Sequence, residues 1–289
     1  MTESTLEGML AIFDVAPDGA DPRRFLGHSD PGSRQVVEAS QMLSQAIVAA
    51  GKALPERTVR SAHGLFVSAG DPALPLEFTV TPVQVGRSFA SATIAVTQGD
   101  RTRSTISVLL DRPQPDLIRH DRWTGPEVGG PDAANEIDMP LPGRRLRIEG
   151  VRDINDPDEV GPPVVDAWLH YDQVPGRDDL RRALLTHFTG HLSISTAMRP
   201  HAGLGTSQAH YTVSTAPMGI SVVFHDPVEW NGWIRYHHES TYAGAGMSHI
   251  RGQVVTEDGR LIASFTQDAM IRALSPSGSA ASMPVASRL

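Results

Sequence analysis

Two blocks of the chain repeat one order of hydrophobic and polar positions: an apolar helix, then several long, partly alternating strands. The spacing of Val37, Met42, Ile47 and Val48, together with a run of alanines, predicts a first helix over Arg34–Ala50. Ser33 serves as its N-cap and Gly51 as its stop. Segments rich in Val, Thr, Ile and Phe predict strands at Thr58–Val67, Leu76–Val83, Ser88–Gln98 and Arg103–Asp111, separated by Gly-Asp and Pro turns. The second block opens with a strand at Val165–Tyr171. It continues into a helix over Arg177–Met198, halted by Pro200, and strands follow at Tyr211–His225, Gly232–Glu239, Met247–Thr256 and Leu261–Arg272.

The repeat divides the chain into a first domain over 1–112, a linker rich in Pro, Gly and charge over 113–163, a second domain over 164–274 and a tail over 275–289. Edge structure within the linker is expected around Arg144–Ile148. The halves also match locally. His63–Phe66 with Asp71–Pro72 corresponds to Gly219–Val222 with Asp226–Pro227, and Gly99–Arg101 to Asp258–Arg260. One apolar helix followed by four or five antiparallel strands buries itself most economically when the sheet curls around it, an α+β arrangement of helix on sheet.

Composition narrows the functional classes. The 289 residues carry a formal net charge of −8 and no cysteine. Without a basic groove, nucleic-acid binding lacks its main attraction, although a polyanionic ligand still has local arginines to bind. The missing cysteines remove disulfides, thiolate metal sites and a cysteine nucleophile. No apolar run approaches the roughly 20 residues of a bilayer span, and no basic leader precedes Met9–Phe13, so cytoplasmic localisation is expected.

Several stretches carry a family resemblance. They are Phe25–Gly27, Gln41–Ala46, Ser61–Phe66 and Gly86–Phe89 in the first half, and Phe224–Pro227, Arg251–Gly252, Asp258–Gly259 and Gln267–Ala269 in the second. In order and spacing they resemble acyl-CoA thioesterase II, the TesB type. That resemblance implies a double hotdog, two antiparallel sheets each wrapped around a central helix. It also implies hydrolysis of fatty acyl-CoA to free acid and CoA, with no cofactor and with acyl-CoA and further copies of the chain as partners. The family's catalytic centre combines a helix Asp, a Ser or Thr in the following strand and a Gln in the last strand. Carried onto this chain, Gln267 matches the Gln. The Asp position falls on Gly190 and the Ser/Thr position on Pro217, so neither side chain is kept. Glu38–Ala39–Ser40 stands where the family has Phe-Gly-Gly, and Met247–Ser248 where it has Arg-Gly.

These departures set the candidate site. Gln267 is read as the retained water-holding amide, and His191, next to the vacant Asp position, as a replacement base with an ordinary pKa near neutrality. His63, Arg87, Ser88 and Arg251 are the candidates for contacting CoA or the cleft between the domains. His187 and His191 are spaced i, i+4, but no zincin Glu precedes the second, and no metal is expected. Glu38 is read as a helix cap, with a relocated base as the alternative, and His237–His238–Glu239 as a solvent-facing strand segment. Two further functions compete with hydrolysis. One is a non-catalytic acyl-CoA or acyl-carrier binding protein. The other is a hotdog hydratase, disfavoured because Gly70–Asp71–Pro72 leads to Pro75–Glu77 without the His of a hydratase signature.

Overall fold

A computed structural model describes residues 5–29, 35–123, 125–138, 141 and 143–274. The chain opens with a short helix, α1 (Leu6–Phe13), and two short strands, β1 (Ala16–Pro17) and β2 (Arg24–Gly27). Helix α2 (Ala39–Ala53) follows, and then β3 (Thr58–Phe66), β4 (Leu76–Val85), β5 (Phe89–Gln98) and β6 (Arg101–Asp111). Beyond them come β7 (Asn135–Glu136), β8 (Arg144–Ile148) and β9 (Val164–Tyr171), two helices, α3 (Asp178–Thr189) and α4 (Ser193–Met198), and β10 (Val213–Phe224). The last strands are β11 (Ile234–Gly244), β12 (Met247–Thr256) and β13 (Leu261–Ala273).

The thirteen strands among the described residues join one sheet in the order β1-β2-β4-β5-β6-β3-β10-β13-β12-β11-β9-β8-β7. The order is a palindrome of equivalents: β3 mirrors β10, β6 mirrors β13, β5 mirrors β12 and β4 mirrors β11. The two halves meet where β3 pairs antiparallel with β10, His63 lying opposite Ser221 and Leu65 opposite Gly219. Each half wraps its own helix, and the result is a double hotdog.

The central helices explain why the halves hold together. Helix α2 is buried along most of its length, Met42, Leu43, Ala46, Ile47, Ala49 and Ala50 together with the polar Ser40, Ser44 and Gln45, as a helix enclosed by a sheet must be. It packs antiparallel against α3 through small residues. A Cβ at Gly190 would meet the Ser40 Cβ at 2.5 Å, Ser44 Oγ donates to the Ala183 carbonyl at 2.8 Å, and Gly51 lies against Asp179. Gly51 therefore sits inside α2 and does not end it; the helix runs on to Ala53, with Leu54 as its C-cap. The expected Ser33 cap and the tail over 275–289 lie outside the described residues.

The single helix expected over Arg177–Met198 is instead two. Periodicity could not reveal the break, because its signature is one backbone angle: Leu192 adopts a left-handed conformation (φ 63°) and turns the chain from α3 into α4. Strand β11 extends to Gly244, five residues past the expected end. Part of the Pro/Gly-rich stretch between the halves crosses the outer face of the second sheet. There the buried Arg235 guanidinium lies 4.8 Å from the Trp123 ring, donates to the Pro126 carbonyl, and pairs with Asp166, which also bonds His237.

Candidate active site

Gln267 lies on β13 between Ile220 of β10 and Ile250 of β12, its side chain wholly buried on the concave face. Neither its amide nitrogen nor its oxygen has a hydrogen-bond partner among the described residues. A buried amide with four unused hydrogen-bonding positions costs about 1–3 kcal/mol unless a water or substrate fills them. Ser248 of β12, opposite Ala269, is likewise buried with its hydroxyl unpartnered. It is a diagonal neighbour of Gln267, within reach of a shared small molecule. Helix α4 roofs this face: Ile194 and Met198 pack on Ala269. Beside them Met198, Leu204, Met247 and Ile271 line an apolar pocket of about 210 Å³.

A second polar group forms where α2 begins and α3 ends. Glu38 immediately precedes α2 but makes no side-chain cap bond. Its carboxylate reaches across to the other half, Oε2 lying 2.7 Å from His187 Nε2 and Oε1 lying 4.0 Å from His191 Nε2. The cap reading of Glu38 is thus corrected: the opposing histidines compete successfully for the carboxylate. His191 is buried and stacks on Phe188, and its Nδ1 lies 3.1 Å from the His187 carbonyl. A carbonyl only accepts, so Nδ1 carries the proton and Nε2 is the acceptor in the neutral ring. One donor atom from each of Glu38, His187 and His191 lies within 4.8 Å of the others, close enough to attract a cation. The 2.7 Å contact, however, is a hydrogen-bond length, and among the described residues the buried His187 Nδ1 has no outer partner of the kind ligating imidazoles usually have.

His238 connects the two groups. His237 and His238, expected in solvent from the strand pattern, are both buried, because α3 and α4 cover one face of β11 and the Trp123 segment covers the other. The His238 ring lies 5.1 Å from that of Phe265, which spreads over Gly252 and stands two residues from Gln267 on the same face. On its other side His238 meets the His191 backbone. Burial, reinforced by neighbouring His237, pushes the His238 pKa down to about 4, so the ring is neutral under ordinary conditions.

The other candidates scatter. A Cβ at Gly190 has no room, and Pro217 lies at a bulge in β10, where the pairing shifts between Pro217 and Gly219. His63 is exposed on the outer face, 2.5 Å from Ser221 Oγ across the β3–β10 seam. Arg87 and Ser88 occupy the β4–β5 turn of the first half; Arg87 is exposed, and the Ser88 carbonyl accepts from the Arg112 backbone. Arg251 pairs with Thr266 and ion-pairs with Glu239 on the exposed face, opposite to the face of Gln267. Of the catalytic and CoA-contacting candidates read from the sequence, Gln267 and His191 are buried, and His63, Arg87 and Arg251 are exposed. Ser248 has no signature of its own in the sequence, because a lone hydroxyl carries no periodic signal.

Comparison with known proteins decides the family. Residues 31–111 match the family model for the acyl-CoA thioesterase N-terminal domain, and residues 120–271 that for the C-terminal domain. The chain belongs to the acyl-CoA thioesterase family. Acyl-CoA thioesterase 2 of Haemophilus influenzae is 28% identical over 270 residues, spanning 86% of this chain and 92% of that protein. Among solved structures, the tesB protein of Mycobacterium avium subspecies paratuberculosis superposes with a TM-score of 0.78 at 21% identity, covering 92% of this chain and 99% of its own. A hot dog fold protein from Alicyclobacillus acidocaldarius gives 0.73 at 19% identity, with 92% and 98% covered. In this family member the double hotdog seen in the sheet and helices agrees with the fold that the thioesterase resemblance implies.

Proposed function

We propose that this protein hydrolyses fatty acyl-CoA thioesters to free acid and CoA with an altered water-activating site, in which Gln267 and His191 replace the family's three-residue arrangement. The observation that carries the reading is the buried amide of Gln267, unpartnered among the described residues, in a chain of the acyl-CoA thioesterase family. The amide holds a water against the thioester carbonyl, and Ser248 offers a second contact. As the water oxygen adds to the carbonyl carbon, its proton passes to His191 Nε2. The C–S bond of the adduct then breaks, and the departing thiolate takes that proton, leaving acid and CoA. The apolar pocket beside Met198 and Ile271 suits the acyl chain. Cytoplasmic action is part of this reading, and so is self-association, for which exposed Leu65, Val83, Val85 and Phe89 of the first sheet offer apolar surface.

CoA release from a panel of acyl-CoAs, followed with a thiol reagent, tests the proposal. The protein contributes no thiol background, having no cysteine. Turnover is expected, and Gln267→Ala should lower kcat by about 10²-fold, the usual cost of losing a positioned polar contact to the reacting atoms. Tight binding without turnover at every chain length would instead support the alternative of a non-catalytic acyl-CoA binding protein, which the replacements at Gly190 and Pro217 favour.

A further inference from the structure

The thioesterase resemblance assigns nothing to Glu38, yet its surroundings are built for a charge. It is contributed by the first half to a cluster whose other members belong to the second. The side chain is only 12% exposed and its partner His187 only 10%. Carboxylate and imidazoles also occupy favourable ends of two helices. Glu38 stands at the N-terminus of the fifteen-residue α2, where the helix dipole favours negative charge; His187 and His191 stand at the C-terminus of the twelve-residue α3, where it favours positive charge. Antiparallel packing, with Ser40 against Gly190, brings these two ends together. Titratable groups around His191 among the described residues include Glu38 ahead of α2, His187 one turn back on α3, and His238 on β11.

We propose that Glu38 is a positioning residue for His191, acting across the junction between the halves to stabilise the imidazolium formed when His191 takes the proton of the attacking water. His187 fixes one carboxylate oxygen by its 2.7 Å contact, and the other lies 4.0 Å from His191 Nε2. The His187 carbonyl fixes the His191 tautomer from the opposite side. The carboxylate absent from position 190 is thereby supplied from the other half. This inference rests on the hydrolase reading for its chemistry, but its electrostatic core does not depend on turnover.

The test compares wild type with Glu38→Gln and Glu38→Asp in the full-length protein, each first confirmed as folded by circular dichroism and thermal melting. Kinetically, Glu38→Gln should lower kcat by tenfold or more with little change in KM. It should also move the acidic limb of the kcat/KM profile about one pH unit lower, since an opposite charge within about 4–6 Å favours the protonated ring by at least that much. Glu38→Asp, which keeps the charge, should restore part of both. Independently, NMR titration of the His191 imidazole should show the same displacement in Glu38→Gln. Folded Glu38→Gln with an unmoved limb and an unmoved His191 titration overturns the inference, as does stoichiometric bound metal whose removal abolishes activity. Wild type that releases no CoA, yet shows the His191 displacement, refutes the hydrolase reading and leaves the electrostatic pairing standing.

Discussion

A histidine sealed between a helix pair and a sheet resists protonation, and His238 is such a residue. Its pKa in the folded protein is about 4, against an ordinary value of 6.5. Above pH 6.5 the ring is neutral in both folded and unfolded chains, so it contributes no pH dependence there. Between pH 6.5 and about 4 only the unfolded chain takes up the proton, and folding stability falls as the solution is acidified. The full displacement corresponds to about 3 kcal/mol. His238→Phe, which retains the ring contacts with Tyr236 and Phe265, should flatten this part of the stability profile relative to wild type. Urea unfolding of both proteins at pH 7.5, 6 and 4.5 reads the difference; parallel profiles would exclude His238 as the source. The same residue shows what a sequence conceals at this scale. Alternation along β11 told which neighbours share a face, but both faces of its first half, 234–238, are covered, so exposure could not be read from it. Gln267 stands out as a candidate because a family pattern marks it, whereas the pairing of Glu38 with His187 joins positions 149 apart and has no local signature.

Between helices the decisive feature is how closely α2 and α3 approach. At Gly190 two effects oppose each other. The backbone there is ordinary right-handed helix (φ −77°), so alanine should be tolerated and even gain up to about 1 kcal/mol from a less flexible unfolded chain. The new Cβ, however, would lie 2.5 Å from the Ser40 Cβ, which is held by its helix and cannot swing aside. Overpacking of this kind costs about 1–3 kcal/mol, so Gly190→Ala should destabilise the protein. Ser40→Gly removes the obstructing atom. In a double-mutant cycle the pair should therefore lose less stability than the two single changes added together, as read from denaturation midpoints. Strict additivity would show that the helices adjust freely. At this scale most strands were legible to within a few residues, because alternating apolar positions and Gly/Pro turns mark them directly. The division of α3 from α4 was not, since a left-handed leucine in an apolar run looks like one more helical residue. Strands β1 and β2 and helix α1 are too short for periodicity to register.

For the whole molecule, duplication raises the question of whether each half folds alone, as separate domains with their own cores would. Several contacts argue that they do not. Strands β3 and β10 are each interior to the sheet only because they pair with one another; separated, each becomes a long edge with unpaired backbone groups. The same cut would expose the α2–α3 contact. It would also strip Arg182, 5% exposed, of the Val59 carbonyl to which it donates at 3.1 Å, leaving a buried guanidinium with Asp178 and the Phe224 ring. The chain can be divided between Leu117 and Ile118, which are 97% and 79% exposed, without cutting any strand or helix. Expressed separately, each fragment is expected to aggregate or to lack a cooperative thermal transition. Expressed together, they should assemble into a one-to-one complex with the circular dichroism of the intact chain. Two soluble fragments, each melting cooperatively alone, would show that the junction adds little to stability. It would then hold Glu38 against His191 only through the tether of the chain, and the dependence of the proposed site on both halves would have to be measured as an effective concentration rather than assumed from the fold.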